Sequence, residues 1–124
     1  MTFAEAARAP LGKLLVHSGR ATRKEFWSFA VALLIVILAI ALATRVVAPD
    51  LLVPLAVPLV LAEYLAMWAV AVRRLHDASM SGFMLLVAFV PLVGLVTVAI
   101  LLAKAGDPGA NAYGPSPGSA AGVA

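Results

Sequence analysis

The stretch FWSFAVALLIVILAIALAT, from Phe26 to Thr44, holds 19 residues without one ionisable side chain. Two similar runs follow it. LLVPLAVPLVLAEYLAMWAVAV extends from Leu51 to Val72 and is interrupted only by Glu63, and FMLLVAFVPLVGLVTVAILLA extends from Phe83 to Ala103. At 1.5 Å per helical residue the runs reach about 28, 33 and 31 Å, each close to the roughly 30 Å hydrocarbon core of a bilayer. In lipid every backbone polar group must be satisfied within its own segment, so each run predicts a helix. The expected fold is all-α, a three-helix integral membrane bundle with spans of about 26–47, 51–72 and 83–103. It forms a single domain over residues 1–117, with a basic N-terminal segment and a Pro/Gly-rich C-terminal tail that ends in a disordered stretch at 118–124.

Composition points the same way. Of the 124 residues 64% are hydrophobic and 12% charged, about half the charge of a typical soluble domain. Disorder needs low hydrophobicity and high net charge, and this chain has neither. The absence of cysteine excludes disulfides, thiolate metal sites and cysteine nucleophiles. Ala41-Leu42-Ala43 resembles a signal-peptide cleavage site, but the run before it exceeds the usual apolar region of about 7–15 residues, and two more spans follow.

Lysine and arginine counts set the expected orientation. The N-terminal segment carries Arg8, Lys13, Arg20, Arg23 and Lys24, the first loop Arg45, the second loop Arg73 and Arg74, and the tail Lys104. With three spans, seven positive residues share the N-terminal side and two the other. The N-terminus is therefore expected in the cytoplasm and the C-terminus outside it. Local signals place the helix ends. Thr22 and Glu25 fit a capping box opening the first span, with Trp27 at interface depth, and Pro49-Asp50 closes it. Pro54 and Pro58 are expected to delay or kink the second helix, Ser79 or Ser81 to cap the third, and Pro91 and Gly94 to bend it. Upstream, Thr2 to Glu5 opens a short in-plane helix with Phe3, Ala7, Leu11, Leu14 and Leu15 along one side. Ala62, Ala66 and Ala69 on the second span, and Ala39 and Ala43 on the first, mark close helix approach.

Three separated motifs frame these spans. Gly19-Arg20-Ala21-Thr22-Arg23-Lys24-Glu25-Phe26-Trp27 precedes the first. Arg73-Arg74-Leu75-His76-Asp77, followed by Ser81-Gly82-Phe83, joins the second to the third. Gly106-Asp107-Pro108-Gly109-Ala110-Asn111-Ala112-Tyr113-Gly114-Pro115-Ser116-Pro117 follows the third. Their order and spacing resemble domain-of-unknown-function family 805, the YhaH-like bacterial inner-membrane proteins, over roughly residues 13–117. The resemblance implies a multi-pass protein of the bacterial inner membrane and no particular activity. The chain departs from the family pattern at Phe83, where Trp is usual, at Ala112, where Arg is usual, and at Ala66, where Pro is common.

The chemistry-bearing residues divide into a cluster and a singleton. In a helix, Asp77 is spaced to pair with Arg73 or Arg74. Arg20, Arg23, Lys24, Arg73 and Arg74 are expected to crowd the cytoplasmic end of the bundle, where only Glu25 and Asp77 offset them. That excess of positive charge points to anionic lipid headgroups, gripped by guanidinium forks with His76 as a neutral donor. Glu63 is the one ionisable residue inside a span, so it is expected to be neutral, paired or facing water, with carbonyls at the Pro91–Gly94 bend as candidate acceptors. His17 and His76 lack metal-ligand spacing. His76, Asp77 and Ser81 lie too close in sequence to form the relay of a catalytic triad. No phosphate loop is present, and a basic patch at a membrane boundary meets lipid before nucleic acid.

The functional expectation is a non-enzymatic interaction or accessory module without a cofactor. Its expected partners are membrane lipids with anionic headgroups, and a second copy of the chain or another membrane protein, with no nucleic acid. The alternative is a component of an oligomeric small-solute or proton-coupled transporter. An enzyme acting on lipid would depend on His76 and Asp77.

Overall fold

The computed structural model describes residues 2–13, 15–47 and 49–117. The first helix, α1, spans Phe3–Arg8 and opens with a complete capping box. The Thr2 side chain accepts from the Glu5 backbone N–H, and the Glu5 carboxylate accepts from the Thr2 N–H. A 3₁₀ turn at Ala9–Lys13 follows, where Pro10 stops the α-helix. Ala6, Ala7 and Pro10 are buried, while Phe3, Leu11 and Leu15 stay exposed. The buried side of this segment is therefore its small residues. Leu14 lies outside the described residues.

The second helix, α2, spans Arg23–Val46, and the third, α3, spans Pro49–Asp77. Thr22 caps α2 as the sequence predicts, but the capping box is only half formed. Its hydroxyl accepts from the Glu25 N–H, whereas the Glu25 carboxylate turns to Arg73. Pro49 opens α3 rather than closing α2. A first-turn position suits proline, which has no N–H to lose there and a φ already set for a helix. The helix then continues through Pro54 and Pro58 to Asp77. At about 36 and 44 Å, α2 and α3 are both long enough to cross a bilayer, and both are apolar enough to do so.

The third expected span is not a span. Residues Gly82–Phe89 form a 3₁₀ arm, and only Gly94–Ala103 form the α-helix α4. Between them Pro91 interrupts the helix, and Leu92 adopts a left-handed φ of 71°. The two arms run in opposite directions. Gly82 lies against Val72 of α3, and at the far end of α4 the Leu102 carbonyl accepts from Arg74, two residues further along α3. The outgoing arm is about 16 Å long at 2.0 Å per residue and the return arm about 15 Å at 1.5 Å. The segment is therefore a hairpin whose two ends both lie against the C-terminal end of α3, and neither arm alone is long enough to cross a bilayer.

Consequently the tail does not lie on the face opposite the N-terminus, as three spans require. It packs at the end of the molecule where α2 begins and α3 ends. Non-helical backbone at membrane depth is tolerated where protein buries it, and Leu85, Val98 and Leu102 of the hairpin join Phe26, Phe29, Ala66, Val70 and Leu75 in one apolar core. Of the alanines expected at helix contacts, Ala66 and Ala69 are buried and Ala39 is exposed. The stretch 118–124, expected to be disordered, lies outside the described residues.

Candidate functional site

At the clamped end, the chain leaving α3 makes a tight turn. Ala78 and Met80 donate to the Leu75 carbonyl and Ser79 donates to that of His76. The turn holds Asp77 at the centre of the three motifs. Its Oδ1 accepts from Arg20 Nε at 2.9 Å and its Oδ2 from Arg74 Nη1 at 2.8 Å. Its carbonyl accepts from the Asp107 backbone N–H at 2.7 Å. One carboxylate thus binds a residue from before α2 and a residue of α3, and its own backbone fixes the tail.

Arg20 uses all five of its guanidinium N–H groups. Besides Asp77 Oδ1, it donates to the carbonyls of Gly109 at 2.6 Å, Gly114 at 3.2 Å, Asp107 at 2.7 Å and Asp77 at 3.3 Å. Arg74 donates to the Leu102 carbonyl at 3.0 Å and to that of Lys104. Arg73 donates to Glu25 Oε1 at 2.9 Å, and its backbone carbonyl accepts from Ala21. Its Nε and Nη2 are buried without a hydrogen-bond partner among the described residues.

Around this knot the tail folds on Asn111. Asn111 donates to the His76 carbonyl and to Asp107 Oδ2, both at 2.9 Å, while its own Oδ1 accepts from Tyr113 N–H. The His76 ring stacks on Tyr113 at 3.9 Å and bonds the Gly19 carbonyl through Nδ1. Ser79 donates to the Asp107 carboxylate. The Ser79 and Asn111 bonds, in that order, hold the Asp107 carboxyl below its ordinary value.

The structure brings together Gly19, Arg20, Glu25, Arg73, Arg74, His76, Asp77, Asn111, Tyr113 and Gly114 of the residues singled out from the sequence. It separates others from them. Arg23 and Lys24 are exposed on the first turn of α2, Phe26 is in the core, and Trp27 is half exposed and edge-on to Phe26. Ser81 caps the outgoing arm by accepting from the Phe83 N–H, next to Gly82 at the start of that arm. Asp77 bonds the arginines and His76 bonds Gly19, so no Ser81–His76–Asp77 relay exists. Glu63 is buried in α3, with Oε2 lacking a hydrogen-bond partner among the described residues. It lies about 14 Å along the helix from Val72.

Arg20, Arg73 and Arg74 are 8%, 1% and 0% exposed, so their forks are turned into the protein and are not offered to lipid. Sequence reasoning counted only carboxylates as offsetting charge and missed seven backbone carbonyls, that of Ala21, which accepts from Arg74 Nη1, among them. It also read Gly106-Asp107-Pro108-Gly109 as a turn alone, without the contacts of Asp107 and Gly109. Among the described residues no three His, Cys, Asp or Glu side chains gather as a metal site.

The family described as "Protein of unknown function (DUF805)" matches residues 14–115. Inner membrane protein YhaI of Escherichia coli (strain K12) is 37% identical over 100 residues, which cover 81% of this chain and 84% of that protein. Inner membrane protein YhaH of the same strain is 32% identical over 105 residues, covering 80% of this chain and 84% of its own length. No solved structure matches. The matched region takes in all three motifs up to Pro115 and both long helices.

Proposed function

The chain belongs to the DUF805 family of inner-membrane proteins, and from that premise we propose that it is a non-enzymatic membrane module with both termini in the cytoplasm. The observation that carries this reading is the bonding of Arg20 and Arg74 to tail carbonyls, which puts N-terminal segment, turn and tail at one end. Eight of the nine cationic residues are then on segments joined to that end, and Arg45 alone is at the other. This asymmetry exceeds the one that three spans would give and favours a cytoplasmic face.

Cations in this arrangement divide the work. Arg20, Arg73 and Arg74 hold the loops, while the exposed side chains of Arg23, Lys24 and Lys104 face the headgroup region beside Trp27. Anionic headgroups there contribute about 1 kcal/mol per basic residue. The reading is tested by native mass spectrometry and thermal melting of two variants. Arg23→Gln with Lys24→Gln is expected to reduce retained anionic lipid at an unchanged melting temperature. Arg74→Lys, which keeps the charge and loses the fork, is expected to lower the melting temperature. Unchanged lipid retention in the first variant contradicts headgroup docking.

One observation favours the transport reading as a second possibility. Glu63 is buried within an apolar helix long enough to cross a bilayer, with a carboxyl oxygen lacking a partner among the described residues, and intramembrane ionisable groups mark ion and proton paths. A module of the first kind predicts that Glu63→Leu is silent or stabilising. A proton-coupled carrier predicts loss of function.

A further inference from the structure

Beside the arginine knot lies an open cleft of about 430 Å³ whose lining residues take no part in the ion pairs described above. Three consecutive turns of α3 form one wall, with His76 at the cytoplasmic end, Val72 next and Trp68 deepest. This stripe extends about 12 Å into the membrane. Phe83 and Leu86 of the outgoing arm face it, while His17, Ser81 and Tyr113 crown the mouth. The cleft is thus apolar below and hydrogen-bonding above, and its volume falls in the usual ligand range of about 300–1,000 Å³.

The mouth has a defined polarity. His17 Nδ1 lies 3.0 Å from the Leu15 carbonyl and His76 Nδ1 lies 2.9 Å from the Gly19 carbonyl. A carbonyl only accepts, so each Nδ1 donates there and leaves Nε2 as the ring nitrogen that a ligand can meet. The Ser81 oxygen accepts from the Phe83 N–H, which leaves its hydroxyl proton to donate. No lysine or arginine lines the cleft, because the adjacent guanidiniums are committed to Asp77, Glu25 and carbonyls.

We propose that this cleft binds a single-chain fatty acid, with its carboxyl group at the two histidines and its chain along Val72 and Trp68. A carboxyl and an imidazole share one proton, and the pair carries no net charge whichever of the two holds it. The second carboxyl oxygen accepts from the Ser81 or Tyr113 hydroxyl. A phosphate head would bring a permanent charge to a mouth without a lysine or arginine, and an alcohol has a single oxygen to serve both sides of the mouth where a carboxyl has two. This inference is independent of headgroup docking by Arg23 and Lys24.

The test uses the full chain in zwitterionic lipid nanodiscs, with Trp27→Phe leaving Trp68 as the sole tryptophan. Dibrominated stearic acid is expected to quench Trp68 saturably, and palmitic acid to reverse the quenching. His17→Asn and His76→Asn keep a donor for the backbone carbonyl and delete Nε2. The carboxyl has one proton to share, so the variant of the histidine that shares it is expected to weaken competition by palmitic acid about tenfold, the cost of a lost hydrogen bond to an acid group. His17 is exposed, so its variant serves if the His76 variant does not fold. Quenching that rises linearly and is identical in the variants overturns the proposal as bulk partitioning. Equal competition by palmityl alcohol overturns the carboxyl assignment, and stronger competition by lysophosphatidylglycerol overturns it in favour of a phosphate head.

Discussion

Asp77 holds two of the three buried arginines at once, because each of its carboxylate oxygens accepts from a different guanidinium. Removing one partner of a buried ion pair leaves an uncompensated charge and costs about 3–5 kcal/mol. Asp77→Asn is therefore expected to lower the thermal midpoint in detergent sharply, and an unchanged midpoint would show that the carbonyls alone hold Arg20 and Arg74. Gly106→Ala tests the same contact from the tail side. A Cβ there would overlap the Asp77 carboxylate, so the tail or the carboxylate must move, and a lower midpoint is expected. A further expectation concerns pH. Asp107 has a folded value below the ordinary carboxylate range, first through Ser79 and then through Asn111. Its stabilising contribution is present above that ordinary range and is lost as pH falls toward the lowered folded value. Ser79→Ala should move the Asp107 titration upward in carboxyl-carbon NMR, and an unmoved titration would remove Ser79 as the cause. The Arg74–Asp77 pair was legible in the sequence from its three-residue spacing. The Arg20–Asp77 pair and the carbonyl acceptors were not, since they join positions 28 to 94 residues apart.

At the scale of elements, α2 and α3 follow from their unbroken apolar length, and the Thr22 cap follows from its side chain. The hairpin does not follow from either kind of signal. Hydropathy measures how much apolar chain is available and carries no information on direction, so 21 uncharged residues read as one crossing. The local signal was Pro91-Leu92-Val93-Gly94, readable as a break but not as a reversal. Reversal becomes favourable through contacts at the other end, where the carbonyls of Leu102 and Lys104 satisfy Arg74. Gly94 is where the return arm passes the outgoing one. A Cβ there would meet the carbonyl oxygens of Val87 and Ala88, and backbone atoms cannot swing aside as a side chain end does. Gly94→Ala is expected to cost about 1–3 kcal/mol, the usual range for overpacking. Gly12→Ala, whose Cβ meets nothing within 4 Å, is the matched control. Equal melting temperatures for the two variants would mean that the arms are not in close contact.

Across the whole molecule, the half nearer the arginine knot contains α2, α3 and both hairpin arms, and the other half contains α2 and α3 alone. The polar cluster, the cleft and Glu63 at its depth all belong to the thicker half. This arrangement depends on an even number of complete crossings, which composition and run length could not distinguish from three. Sidedness of the tail therefore decides the account. A reporter active only in the cytoplasm should be fused in turn before residue 2, within the loop after Val47, and after Pro117, with expression of each fusion verified. The account predicts activity at both ends and none in the loop. A tail fusion that is silent like the loop fusion, and active with a periplasmic reporter, would restore three crossings and contradict it.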